Sequence, residues 1–170
     1  MTAYVALLRG VNLGGRVLKM DDLRRIATDL GLDDARTYIA SGNLLFRSGK
    51  SENALKGDLE AAIADHMGAT VGVMIRTAGE LAAVLAKNPF GKEAPSFTVA
   101  IFLDEPPPSG SAEAAKNVDG ERIALGAREL YVHYPRGQGQ SRLAIPAAAQ
   151  GTARNMNTVA KLAELAMEMA

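Results

Sequence analysis

Residues 4–8 read YVALL, an apolar run without alternation, and the glycine-rich stretch RGVNLGG follows it at once. A strand that is apolar on both sides of the pleat has no face to give to water. It belongs in the middle of a sheet covered above and below, and this constrains the chain more than any other feature. Residues 97–103, FTVAIFL, carry the same signature and predict a second buried strand.

The segments between them read locally. A helix is predicted over 19–30, with Met20, Leu23, Ile26, Ala27 and Leu30 on one face and Asp21 and Asp22 favouring its first turn. Gly31 stops it. Residues 36–40 and 44–47 flank Ser41-Gly42-Asn43 as a hairpin. A second helix covers 51–67, lined by Leu55, Leu59, Ile63 and Met67 and ended by Gly68. Val71, Val73 and Ile75 alternate as a strand. Thr77 and Glu80 then form a capping box, and Asn88-Pro89 stops the helix it starts. The order to this point is β-α-β-β-α-β followed by a helix, the ferredoxin-like order.

The second half nearly repeats it. After the strand at 97–103 come a rigid connection at 104–109 containing Pro106, Pro107 and Pro108, a short helix at 111–117, and a hairpin of 122–125 with 129–133 around Gly126-Ala127. A closing helix covers 157–169. The fold class is therefore α+β, with two similar ferredoxin-like (βαββαβ-type) halves packed tightly together, the second incomplete or permuted. The halves are residues 1–75 and 76–170.

Composition removes several function classes. The 170 residues include no cysteine, which excludes disulfides, thiolate zinc sites and a cysteine nucleophile. The formal net charge is zero, which argues against a dedicated nucleic-acid binder. Aromatic residues make up 5% of the chain, too few to furnish the stacking face of an RNA-recognition sheet. No apolar run approaches the ~20 residues of a membrane span, and the start lacks the basic region of a signal peptide. The expectation is a cytoplasmic protein with no cofactor, no metal and no membrane partner.

Three polar segments are candidate ligand loops. The first, after the opening strand, contains Arg9, Asn12, Gly14 and Gly15. Its glycines would let backbone N–H groups approach an anion, and Arg9 would add a bidentate fork. Its spacing matches neither the dinucleotide fingerprint nor the P-loop. The second, after the last predicted strand, contains Arg136, Gln138, Ser141 and Arg142. The third, ahead of the closing helix, contains Arg154 and Asn155, where a helix N-terminus beside an arginine suits an anion. Arg122, Arg128, Arg136, Arg142, Arg154 and Lys161 face a single acidic residue, Glu129, between Arg122 and Lys161, so that half should carry a positive field. His133 is the better placed of the two histidines for acid–base work, whereas His66 reads as a helix-end residue. Ser41 and Ser141 have no evident base, and no catalytic signature appears.

LLRGVNLGG near the start, YIASGNLLF at 38–46, VMIRTAGEL at 73–81, Asn88-Pro89-Phe90 and RNMNTVAKLAEL at 154–165 together resemble domain-of-unknown-function (DUF) family 1697. The resemblance implies a bacterial-type cytoplasmic α+β protein of two similar halves and carries no activity to transfer. The family commonly has tryptophan where Met156 stands here, and a longer segment between Arg142 and Thr152. If the family's ligand stacks on that tryptophan, this chain uses another contact or another ligand.

The function expected on these grounds is binding of a small phosphorylated or carboxylate ligand in a cleft where the three loops meet, with any catalysis undetermined. The alternative is a protein-interaction or homo-oligomerisation module, using the stripe Ala160, Ala163, Ala166, Met167 and Met169. RNA binding ranks third.

Overall fold

The opening run becomes β1 (Thr2–Leu8), with Val5, Ala6, Leu7 and Leu8 all without solvent exposure in the computed structural model, which describes residues 1–12 and 17–170. The chain divides into two units, Met1–Leu81 with Leu162–Ala170, and Ala82–Lys161. In the first unit β1 pairs antiparallel with β3 (Asn43–Ser48) and β4 (Val73–Thr77), and β2 (Asp33–Thr37) adds at the edge, in the order β2-β3-β1-β4. No helix among the described residues is long and apolar enough to cross a membrane.

Two helices cover one face of this sheet. In α1 (Met20–Asp29) Leu23, Ile26 and Ala27 are buried, and in α2 (Glu52–Met67) Leu55, Leu59 and Ile63 are. They pack against Tyr4, Ala6, Leu8, Leu44, Phe46, Val73 and Ile75. The ends of α2 follow the sequence signals. The Ser51 hydroxyl accepts from the Ala54 N–H at 3.2 Å, and Gly68 closes the last turn in the left-handed region. His66 faces the Asp22 carboxylate of α1 at 3.4 Å. On the other face Val5, Leu7, Leu45, Met74 and Arg76 are buried too.

The second unit holds β5 (Thr98–Phe102), β6 (Arg122–Leu125), β7 (Glu129–His133) and β8 (Thr152–Asn155) in the order β6-β7-β5-β8, again antiparallel. Its apolar face, built from Val99, Ile101, Leu103, Leu130 and Val132, is covered by irregular chain carrying Ala115, Leu143, Ile145, Ala147 and Ala148. The helix predicted at 111–117 is replaced by turns. One α-turn forms, Ala114 N–H to Gly110 C=O at 3.0 Å, and then Lys116 leaves to exchange backbone hydrogen bonds with Ala144 at 2.8 and 3.0 Å. A segment this short cannot offset helix nucleation when an extended partner competes for its backbone. Tyr4, Phe46, Phe102 and Tyr131, the aromatic residues on the strands, are all buried.

The helices α3 (Ala78–Ala86) and α4 (Met156–Met169) follow β4 and β8 directly. The two sheets repeat one another in register. Val5 stands between Leu45 and Arg76, and Ala100 stands between Tyr131 and Arg154. Leu8 donates to the Gly42 carbonyl at 2.9 Å, as Leu103 does to that of Arg128. Arg76 and Arg154 are both buried, and each Nη1 donates to the preceding carbonyl, Ile75 at 3.0 Å and Ala153 at 2.9 Å. In each case the next side chain caps a helix. Thr77 Oγ1 accepts from the Glu80 N–H at 3.1 Å while Glu80 Oε1 accepts from the Thr77 N–H at 2.9 Å. Asn155 Oδ1 accepts from the Thr158 N–H at 2.9 Å. Thr77→Ala removes one arm of this reciprocal cap and is expected to lower stability by about 1 kcal/mol, read from the midpoint of urea unfolding.

Candidate functional site

The residues singled out from sequence fall in different surroundings. Arg9 follows β1, its N–H donates to the Gly72 carbonyl at 2.8 Å, and its aliphatic stem lies beside that glycine. Asn12 takes a left-handed backbone conformation (φ 59°). Its Oδ1 accepts from the Leu18 N–H at 2.8 Å, and its Nδ2 donates to the Ala40 carbonyl. Both ends of the carboxamide therefore clasp the loop after β1 to the loop between β2 and β3. Asn43 completes the clasp, donating to the Tyr38 carbonyl at 2.9 Å and to Ser41 Oγ at 3.0 Å. Gly14 and Gly15 lie outside the described residues.

In the second unit, Arg136 and Ser141 are brought together around two carboxylates. Arg136 Nη2 donates to the Asp119 carboxylate and carbonyl, both at 2.7 Å. Ser141 Oγ donates to Glu121 Oε2 at 2.5 Å, and this bond, with that from the Asp119 N–H, holds the Glu121 carboxyl below its usual range. The hollow beside them is about 10 Å³, room for one water. Gln138 stands exposed in a single 3₁₀ turn at Gln138–Gln140. Arg142 is exposed, with no hydrogen bond or ion pair among the described residues.

Arg154 lies on a strand, β8, where the sequence suggested a loop. A strand of four largely polar residues shows little periodicity, and pairing with β5 is what makes it. Its guanidinium donates to Thr152 Oγ1 at 2.6 Å as well as to the Ala153 carbonyl, and burial pushes its pKa down to about 10, still protonated at neutral pH. Asn155 caps α4.

A further cluster, which sequence reasoning did not assemble, sits in the second unit. After α3 the chain turns at Asn88, whose Oδ1 accepts from the Phe90 N–H at 3.0 Å across Pro89. The Glu93 N–H then returns to the Phe90 carbonyl at 3.0 Å. This loop stands against one row of the sheet, Arg122-His133-Thr98 across β6, β7 and β5. Arg122 Nη2 donates to Glu93 Oε1 at 2.7 Å, and its guanidinium carbon lies 5.1 Å from the centre of the Phe90 ring. The His133 ring is 6.2 Å from the same ring, and its Nε2 is 3.7 Å from Glu93 Oε2.

Hydrogen bonding fixes the histidine. Thr98 Oγ1 donates to the Ala94 carbonyl at 3.3 Å, so toward His133 Nδ1, 3.1 Å away, it acts as acceptor. His133 Nδ1 then donates to Thr98, and Nε2 faces the Glu93 carboxylate. The hydrogen bond from Arg122 is the main force holding the Glu93 carboxyl below its usual range; the charges of Arg122 and His133 add to it. Thr98 is fully buried and its hydroxyl is closed to any ligand.

Asn88, Pro89, Phe90, Lys92, Glu93 and Arg122 line an open cavity of about 480 Å³, within the range of small-molecule sites. Lys92 is exposed and makes no ion pair among the described residues. The predicted hairpin already places Arg122 and His133 at its far ends. Nothing local in the sequence points to Glu93, which is 29 residues from Arg122.

A family model described as "Protein of unknown function (DUF1697)" matches residues 1–131. Among solved structures the chain is similar to the conserved bacterial protein SP0830 from Streptococcus pneumoniae. The sequence identity is 24% and the TM-score 0.80, over 98% of this chain and 99% of that one, a likeness of fold. A search of curated proteins finds no match.

Proposed function

The chain belongs to the DUF1697 family of proteins of unknown function, and we propose that its task is to bind a small anionic ligand, phosphorylated or carboxylate, at the Phe90–Arg122 cavity of the second unit. One observation carries the reading. Two cations, Lys92 without a partner among the described residues and Arg122 with its guanidinium carbon 5.1 Å from the centre of the Phe90 ring, border a cavity of ligand size. Arg122 Nη2 donates to the part-exposed Glu93, a carboxylate that a ligand anion would displace from the guanidinium fork. Arg136 and Ser141 are engaged by Asp119 and Glu121 from the segment before β6 and border room for one water only, and Arg154 is buried in its own strand, so size favours this cavity over the glycine-rich loop at 136–142.

On the same reading the two sheets are ferredoxin-like halves. Their shared strand order and register support this, with α1 and α2 replaced in the second half by irregular chain. A cytoplasmic location fits a chain without cysteine.

The test is a thermal-shift screen of nucleotides, sugar phosphates and mono- and dicarboxylates. A ligand at a hundred times its Kd stabilises the native state by about 2.7 kcal/mol. Arg122→Ala should weaken any hit at least about tenfold, the loss expected for one charged hydrogen bond. A screen without a hit, or a hit whose affinity survives Arg122→Ala, rejects the reading.

A further inference from the structure

We infer that the ligand is a monocarboxylate with an apolar body, and that Glu93 now occupies the place its carboxylate would take. The inference rests on the reading of this cavity as an anion site and narrows it.

The site already displays how it holds a carboxylate. Glu93 Oε1 receives Arg122 Nη2 at 2.7 Å, and Oε2 faces His133 Nε2 at 3.7 Å, beside the Phe90 ring that neighbours both Arg122 and His133. The guanidinium of Arg122 is planar, so its remaining donors lie in one plane and match the planar fork of a carboxylate. Glu93 comes from a loop rather than from the sheet. Its side chain is 41% exposed, so it can leave Arg122 without disturbing the strands.

Charge separates the two anion classes. Lys92 and Arg122 are positive, and Glu93 remains nearby after it is displaced. A phosphate dianion meets that displaced carboxylate with twice the charge of a monocarboxylate. Phe90 and Pro89 supply apolar surface for the body of the ligand. Until a ligand displaces it, Glu93 serves as the counter-ion that keeps Arg122 in its binding position.

The experiment uses two probes that share a ring, benzoate and phenyl phosphate, titrated calorimetrically into the full chain and into Glu93→Gln. Benzoate should bind the natural chain more tightly than phenyl phosphate, and Glu93→Gln should strengthen benzoate about tenfold by removing a charged competitor for Arg122. Glu93→Ala should act in the same direction, and an unchanged circular dichroism spectrum shows that both variants fold. Benzoate binding weakened by Glu93→Gln would make Glu93 a contact for a cationic group of the ligand and overturn the inference. Preferred binding of phenyl phosphate would overturn it while sparing the anion site. Failure of both probes on all three proteins, with a phosphorylated compound still raising the melting temperature in an Arg122-dependent way, also overturns the inference alone. Failure of both probes with no screening hit removes the anion site with it.

Discussion

Gly42→Ala is expected to destabilise the first unit by about 2–5 kcal/mol, a large share of what holds a domain of this size together. Two independent costs meet at this residue. Its φ is +84°, a left-handed conformation that costs a residue with a Cβ about 1–2 kcal/mol. An added Cβ would also stand 2.6 Å from Val11 Cγ2 and 2.9 Å from Leu8 Cβ, and crowding a packed core costs about 1–3 kcal/mol more. Neither neighbour can yield. Both are buried, and the Leu8 N–H is bonded to the carbonyl of Gly42 itself. The chain has no tryptophan, so unfolding in urea is best followed by far-ultraviolet circular dichroism. A midpoint equal to that of the natural chain would show that the loop between β2 and β3 does not rest on the end of β1.

Gly151→Ala is the corresponding test in the second unit, with an expected loss of about 1–3 kcal/mol. Here the backbone conformation is ordinary and the conflict is purely one of space. A Cβ would lie 2.9 Å from the Phe102 carbonyl oxygen, 2.8 Å from Leu103 Cδ2 and 2.9 Å from Ile101 Cγ2. The nearest polar atom is main chain, so relief requires β8 to move off β5. Such movement would loosen the pairing that buries Arg154 and would reach the start of α4. Faster amide exchange at residues 153–155 than in the natural chain, with the β6–β7 hairpin unchanged, is the expected signature. Equal protection at 153–155 would mean that the strand absorbs the methyl group and the argument from close approach fails.

Much of the fold was legible because it is written locally. The capping box at Thr77, the ends of α2 at Ser51 and Gly68, and the hairpin of β6 and β7 are each specified by neighbouring residues, and the structure carries all of them. What escaped depends on distant partners. β8 exists because β5 offers it an edge, and TARN alone has too little pattern to announce a strand. The short helix expected at 111–117 is lost because Lys116 pairs with Ala144. Asn12 invited a ligand role, yet its amide is engaged at both ends by backbone, which composition cannot reveal. The cluster at Phe90 draws Glu93, Arg122 and His133 from three elements, so no window of sequence contains it. His133 was visible as a candidate; its neighbours were not.

The pairing of a buried arginine with the helix cap that follows it makes each of these dipeptides, Arg76-Thr77 and Arg154-Asn155, an indivisible unit. Because side chains alternate along a strand, deleting a single residue within β4 or β8 ahead of the arginine would swing the guanidinium to the opposite side and shift the start of the helix that follows it. Insertions and deletions in this lineage should therefore collect in the connecting loops and spare the step from strand into helix in both halves.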